Sequence, residues 1–184
     1  MVYVDLTDKE LCVANVIGTM RQAAMQLSSE HAGLYVNHIA GAFGEMAVAK
    51  ALNLYWDCSV NTFKAQGDVG DLEVRTTPQV PPNSCHLYVS KKDHDDRKFI
   101  LVSQINRNKY QLHGWMKGSE VKQRGMFKSL KQGKPPQYWI SYELLHPMYT
   151  LSELVWKLQS DAIDEAEEIL KLRAEIADKN DQDF

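Results

Sequence analysis

Three carboxylates stand within six residues in the stretch Gly67-Asp68-Val69-Gly70-Asp71-Leu72-Glu73-Val74-Arg75-Thr76-Thr77, and a fourth, Glu45, follows Gly44 in an apolar run upstream. Glu73 and Arg75 are two apart, so on a strand they share one face while Leu72, Val74 and Thr76 take the other. Asp71 would fall on the Glu73 face. Asp68 precedes Val69-Gly70, where the chain can turn sharply and swing its carboxylate back toward Glu73. Carboxylates brought together repel one another and are costly to desolvate. A hard divalent cation removes both penalties, lowers the pKa of bound water and stabilises charge on a phosphate. The chemistry open to this pattern is metal-assisted cleavage of a phosphodiester. The same residues also fit a plain turn followed by a same-strand ion pair on a solvated face, worth about 0–1 kcal/mol.

The elements that must position these groups follow from periodicity and capping. Residues 8–29 read as a helix, with Thr7 and Glu10 forming a capping box and Val13, Val16, Ile17, Met20, Ala24 and Leu27 as its apolar stripe. Gly33 marks a break. A second helix spans 37–53, apolar on more than one face, and Glu45 within it is unusual because carboxylates are rarely buried unless paired or metal-bound. Lys50 and His38 are candidate partners for it. A short strand-like run covers Trp56–Phe63, the loop Lys64–Gly67 leads to the motif strand, and Pro78, Pro81 and Pro82 end it in a loop.

Strands are then expected at His86–Ser90, at Phe99–Ser103 (a continuous apolar run, hence central) and at Tyr110–Met116, whose alternation predicts a half-exposed strand. Together they predict a meandering sheet after the motif. Between the first two lies a charged turn, where His94 with Asp93, Asp95 and Asp96 reads as a solvated hairpin tip before it reads as a metal site. Residues 117–134 read as a short helix or loop, and Gln137–Tyr142 as an edge strand. Thr150 and Glu153 predict the start of a last helix over 151–177, apolar at Leu151, Leu154, Val155, Leu158, Ala162, Ala166, Ile169 and Ile176. Its first half is expected to dock and its acidic second half to project, with pairing to a second copy as a coiled coil, a homodimer. Residues 178–184 read as a disordered tail.

Gly44-Glu45, Asp68 and Glu73-Val74-Arg75 resemble the PD-(D/E)XK (restriction-endonuclease-like) nuclease superfamily. The resemblance implies an α/β (α+β) fold over residues 1–150, with a central mixed β-sheet flanked by helices, followed here by the long C-terminal helix. It implies a metal-dependent deoxyribonuclease in which Glu45, Asp68 and Glu73 hold Mg²⁺ or Mn²⁺, with Asp71 and the Val74 carbonyl as further candidate ligands. Glu45, Asp68, Glu73 and Arg75 are then the candidate catalytic residues. Two positions depart from the family. Gly67 stands for its Pro, and Arg75 stands for its Lys. An arginine does not give up its proton, so Arg75 cannot act as a general base, though it can clamp a phosphate. The change favours an alternative, a nuclease-like protein that binds DNA without cutting it. The chain is also similar, over Leu6 to Pro147, to small bacteriophage and prophage proteins from which no function carries over. A further alternative is a phage accessory protein that binds another protein through the acidic last helix.

Composition sets the bounds. The 184 residues are 44% hydrophobic, enough for a real core, with no run long enough for a transmembrane helix. Met1–Asp5 has no basic n-region of a signal peptide, and Cys12, Cys58 and Cys85 lack zinc or disulfide spacing. The expectation is a cytoplasmic protein with reduced thiols, in a bacterial host cell if phage-encoded, with no membrane partner. The net charge of −3 hides an asymmetry: residues 91–134 carry twelve Lys or Arg against four Asp or Glu, and 151–184 carry four against ten. The basic segment predicts a phosphate-binding face, with Lys91, Lys92, Arg107, Lys109, Lys122, Arg124 and Lys128 as the DNA-contacting candidates.

Overall fold

The computed structural model describes residues 1–26, 35–60, 67–77, 85–129 and 135–182. The expected helix end at 27–29, the break at Gly33, the loop from Lys64 to Gln66, the prolines at 78–82 and Lys131 and Lys134 lie outside the described residues. Among those described, the architecture is mixed α/β, with four helices and two sheets.

The elements run β1 (Val2–Asp5), α1 (Asp8–Gln26), α2 (Tyr35–Leu52), β2 (Leu72–Thr77), β3 (His86–Val89), β4 (Lys98–Gln104), β5 (Lys109–Lys117), α3 (Gly118–Arg124), β6 (Met126–Lys128), β7 (Gln137–Ser141), a 3-10 turn at Tyr142–Leu144, and α4 (Met148–Gln182). The first sheet has the order β1-β5-β4-β2. β1 and β4 both pair antiparallel with β5, and β2 pairs parallel with β4. The second sheet, β3-β7-β6, is antiparallel throughout.

β4 is interior, as its apolar run predicts, and it is buried on both faces. Phe99 and Leu101 join Cys85, Leu87, Val89, Met116, Val121 and Ile140 in the core beneath the second sheet and α3. The opposite face of the first sheet carries α2, and α1 packs on α2. The expected meander does not form, because β3 leaves for the second sheet and β2 lies parallel to β4. The expected edge strand β7 is the middle strand of its sheet.

β5 is not half-exposed: six of its nine residues are buried. Both faces are covered, one by α2 and the other by the second sheet, and a register shift opposite Leu101/Val102 leaves His113 as an extra residue. A bulge shifts the alternation by one. Tyr110 thus meets Phe43 of α2, while Met116 belongs to the core on the other face.

α1 buries a different stripe from the one its hydrophobicity predicts. The Thr7–Glu10 capping box forms, with Thr7 N–H donating to Glu10 Oε2 at 2.6 Å and Glu10 N–H to Thr7 Oγ1 at 3.3 Å. Val13, Val16 and Met20 are exposed, whereas Leu11, Ala14, Gly18 and Gln22 are buried. Close approach to α2 decides this: a Cβ on Gly18 would sit 2.6 Å from the Ile39 Cα. Small residues let two helices touch, and the larger apolar ones are left outside.

Residues 56–60 form no strand. Cys58 has a positive φ of 53°, which breaks an extended run, and residues 61–63 of the expected run lie outside those described. Met1–Met148 forms one compact unit and Tyr149–Phe184 a second. The last helix begins at Met148, so Thr150 lies inside it rather than capping it, and it continues to Gln182 through residues expected to be a tail. Leu151 is buried, and Leu154, Trp156 and Leu158 are exposed.

Candidate functional site

Gly44 is what lets α2 lie against β2. A Cβ there would come within 1.8 Å of Thr76 Oγ1. The contact places Glu45 next to the motif strand, at 5% exposure. Its carboxylate is fully engaged. Arg21 Nη1 donates to Oε1 at 2.6 Å and Nη2 to Oε2 at 2.8 Å, and Trp56 Nε1 adds a bond to Oε2 at 2.9 Å. Arg21 Nε donates to the Ser59 carbonyl at 2.9 Å, which ties the irregular segment 53–60 to the pair. Burial pushes the Glu45 carboxyl up and the Asp68 charge adds to this, against the Arg21 and Trp56 bonds. For Arg21, burial works against the charge but is outweighed by the Glu45 bond together with the charges of Glu45, Asp68 and Asp57. Three donors point at the two Glu45 oxygens, which calls for a carboxylate, so the pair is ionised. The alternative partners Lys50 and His38 are not used; Lys50 bonds Glu10 and the Asp5 carbonyl instead.

The turn before β2 folds Asp68 back. Gly70 takes φ of 58°, and Asp68 N–H donates to the Leu72 carbonyl at 2.7 Å. Asp68 Oδ2 then accepts the Val74 N–H at 2.8 Å. Among the described residues β2 is the edge of its sheet, so this carboxylate satisfies a backbone donor with no described strand beside it. Asp71 sits in the exposed corner of the turn, outside the cluster.

Glu73 and Arg75 share a face, as two-residue spacing dictates. Glu73 Oε2 lies 3.3 Å from Arg75 Nη1, and Oε1 accepts from Arg97 Nη1 at 2.7 Å. Arg75 is the hub. Its Nη2 donates to Asp93 Oδ2 at 3.1 Å, its Nη1 lies 3.9 Å from Asp68 Oδ2, and its guanidinium lies over the Phe99 ring at 4.9 Å and the Tyr88 ring at 5.7 Å. Burial opposes its charge, but Asp93, Tyr88, Glu73 and Asp68 together hold it on. Asp93, expected in a solvated turn with His94, is therefore a structural partner, locked also by the Ser90 N–H at 2.9 Å.

Four carboxylates, Glu45, Asp68, Glu73 and Asp93, thus face three guanidiniums, Arg21, Arg75 and Arg97. These arginines already supply the positive charge that a divalent ion would bring. Among the described residues no three His, Cys, Asp or Glu side chains are grouped to hold a metal. Glu45 in particular has both oxygens turned to Arg21. The residues as arranged do not fit Mg²⁺ or Mn²⁺.

The basic candidates divide. Lys91 and Lys92 are exposed in the turn after β3, Arg124 is exposed at the end of α3, and Lys128 is exposed on β6. Lys122 is consumed: its Nζ donates to the Lys91 carbonyl at 3.3 Å, the Asp93 carbonyl at 2.5 Å and Asp95 Oδ1 at 2.6 Å. Arg107 and Lys109 belong to the β4–β5 hairpin, at the far end of β4 from Glu73, whose register partner is Phe99. The seven residues of β4 put about 20 Å between the two ends. Arg107 borders a separate cleft with Asp8, Cys12, Phe43 and Gln104.

Arg21, Trp56 and Arg97 lie outside the sequence expectation. An arginine in a helix whose buried side is small residues was the available signal for Arg21; Trp56 and Arg97 carried none. No helix among the described residues is long and apolar enough to cross a membrane, and all three cysteines are free. No protein-family model, curated protein or solved structure matches the chain.

Proposed function

We propose that this chain is a nuclease-like DNA-binding protein whose carboxylate site is held together by arginines and does not cut the strand. The observation that carries this reading is the two-pronged hold of Arg21 on Glu45, which occupies the carboxylate that the family would offer to a metal. The exposed Lys91, Lys92, Arg124 and Lys128 supply positive charge for the phosphate backbone. The test is fluorescence anisotropy of labelled DNA over a salt series, beside incubation of supercoiled plasmid with Mg²⁺ or Mn²⁺. Salt-sensitive binding with intact plasmid is the expected result.

A second reading, a metal-dependent deoxyribonuclease, is favoured by one observation. Asp68 and Glu73, in the family's order, both lie within 4 Å of the same Arg75 Nη1, and the Asp68 charge is felt at Glu45. It requires Arg21 to release Glu45. Nicking or linearisation that needs the metal and disappears in Glu73→Ala decides for it. If neither binding nor cleavage occurs, the remaining proposal is a protein-binding accessory role for α4.

A further inference from the structure

The second sheet has one face in the core and one outside. Leu87, Val89 and Ile140 point inward, and alternation sends Tyr88, Trp139 and Met126 to the other side, where register sets them in a row across the three strands. Tyr88 and Trp139 are in ring contact, 5.1 Å between centroids with planes 36° apart. Both are half-buried, and Met126 is 59% exposed. The indole is pinned by its edge, since Trp139 Nε1 donates to the Lys128 carbonyl at 3.1 Å. A cross-strand aromatic pair alone stabilises a sheet and needs no ligand. This one has cationic neighbours. Lys128 pairs with Gln137 on the same face, and the exposed Lys91 and Lys92 follow β3 at that same end of the sheet. At its other margin the Arg75 guanidinium lies over the Tyr88 ring, so the row continues into the carboxylate site.

We infer that the Tyr88–Trp139–Met126 face is a stacking platform for the unpaired bases of single-stranded DNA, with Lys91, Lys92 and Lys128 on its phosphates. Aromatic faces take any unstacked base, and lysines track the backbone, whereas a duplex keeps its bases inside. This deepens the DNA-binding reading and rests on it. The charge of the rim selects a polyanion over an apolar protein partner.

The test is anisotropy of one labelled oligodeoxynucleotide, single-stranded and as its duplex, at fixed salt. The proteins are wild type, Trp139→Leu and Met126→Glu, each checked for fold by circular dichroism. Met126→Glu changes an exposed side chain, so it remains informative if Trp139→Leu does not fold. The expected result is tighter binding of the single strand, weakened about tenfold by either substitution, the size of one lost stacking contact, with duplex binding unchanged by Trp139→Leu. Equal or tighter duplex binding, or single-strand binding indifferent to Met126→Glu, overturns the platform while leaving the DNA-binding reading in place. No binding of either form overturns both.

Discussion

Arg21 and Glu45 meet as a planar fork, Nη1 to Oε1 at 2.6 Å and Nη2 to Oε2 at 2.8 Å, joining α1 to α2 where both side chains are largely buried. Breaking such a pair from one side strands a charge, whereas replacing both partners by apolar groups is close to neutral. Either single variant, Arg21→Met or Glu45→Leu, is expected to destabilise the protein by about 3–5 kcal/mol. The double variant Arg21→Met with Glu45→Leu should recover most of that. Urea unfolding of wild type, the two single variants and the double variant closes the cycle; additive losses would mean that the fork contributes nothing of its own.

The same fork predicts a change in metal affinity. With Arg21 removed, Glu45 is left beside Asp68 without its cation. Arg21→Gln should bind Mn²⁺ in a calorimetric titration, and wild type should give no heat beyond dilution. Tight wild-type binding that disappears in Glu45→Gln would instead support the deoxyribonuclease.

Arg75→Lys introduces the residue that the nuclease family carries in the motif that Glu73-Val74-Arg75 resembles. A lysine ammonium cannot reach Asp93 and Glu73 while covering Phe99, because it lacks the planar fork. A stability loss of about 1–3 kcal/mol is expected. On the DNA-binding reading the variant stays inert toward plasmid with Mg²⁺. Cleavage gained by this one change would show that the site needed only its lysine.

His113 makes stability depend on pH. It is 6% exposed, its Nε2 lies 2.8 Å from Ser103 Oγ, its ring edge meets Tyr142, and its Nδ1 has no partner among the described residues. Burial pushes its pKa below the ordinary 6.5. The unfolded chain therefore takes up the proton first as pH falls. Stability is full above about pH 6.5 and declines toward the lower folded pKa. Thermal melts between about pH 7.5 and about pH 5 should show this drop, and His113→Gln should flatten it. His38, also pushed down by burial and by the Arg21 charge, accounts for a residual slope.

Along α4, Tyr149, Trp156, Ile163 and Leu170 are exposed at seven-residue steps. That spacing suits a coiled-coil seam, and the proposal is a homodimer through this helix. Sedimentation of the full chain should give a dimer, and Ile163→Asp a monomer with unchanged helix content. A monomeric wild type removes the proposal.

Local rules carried much of the reading. The capping box at Thr7 and Glu10, the central place of β4 and the shared face of Glu73 and Arg75 depend on neighbours within a few residues, where spacing and backbone geometry decide. The turn at Gly70 is of the same kind, and it brings Asp68 back to β2. Parity failed where one residue was added: the bulge at His113 exchanges the faces of β5, and hydrophobicity has no mark for it. β1 has four residues, too few to show a period.

The linear chain by itself determined which groups are charged, that Glu45 sits in an apolar helix, and that three carboxylates crowd one turn and strand. Only the tertiary structure decided what neutralises them. Arg21 reaches Glu45 from α1 because Gly18 lets the two helices touch, and Arg97 and Asp93 arrive from the turn before β4 because β4 runs parallel to β2. Counter-charges chosen by packing across distant segments leave no spacing to read, so a carboxylate set that suits a cation in one dimension is a set of arginine ion pairs in three.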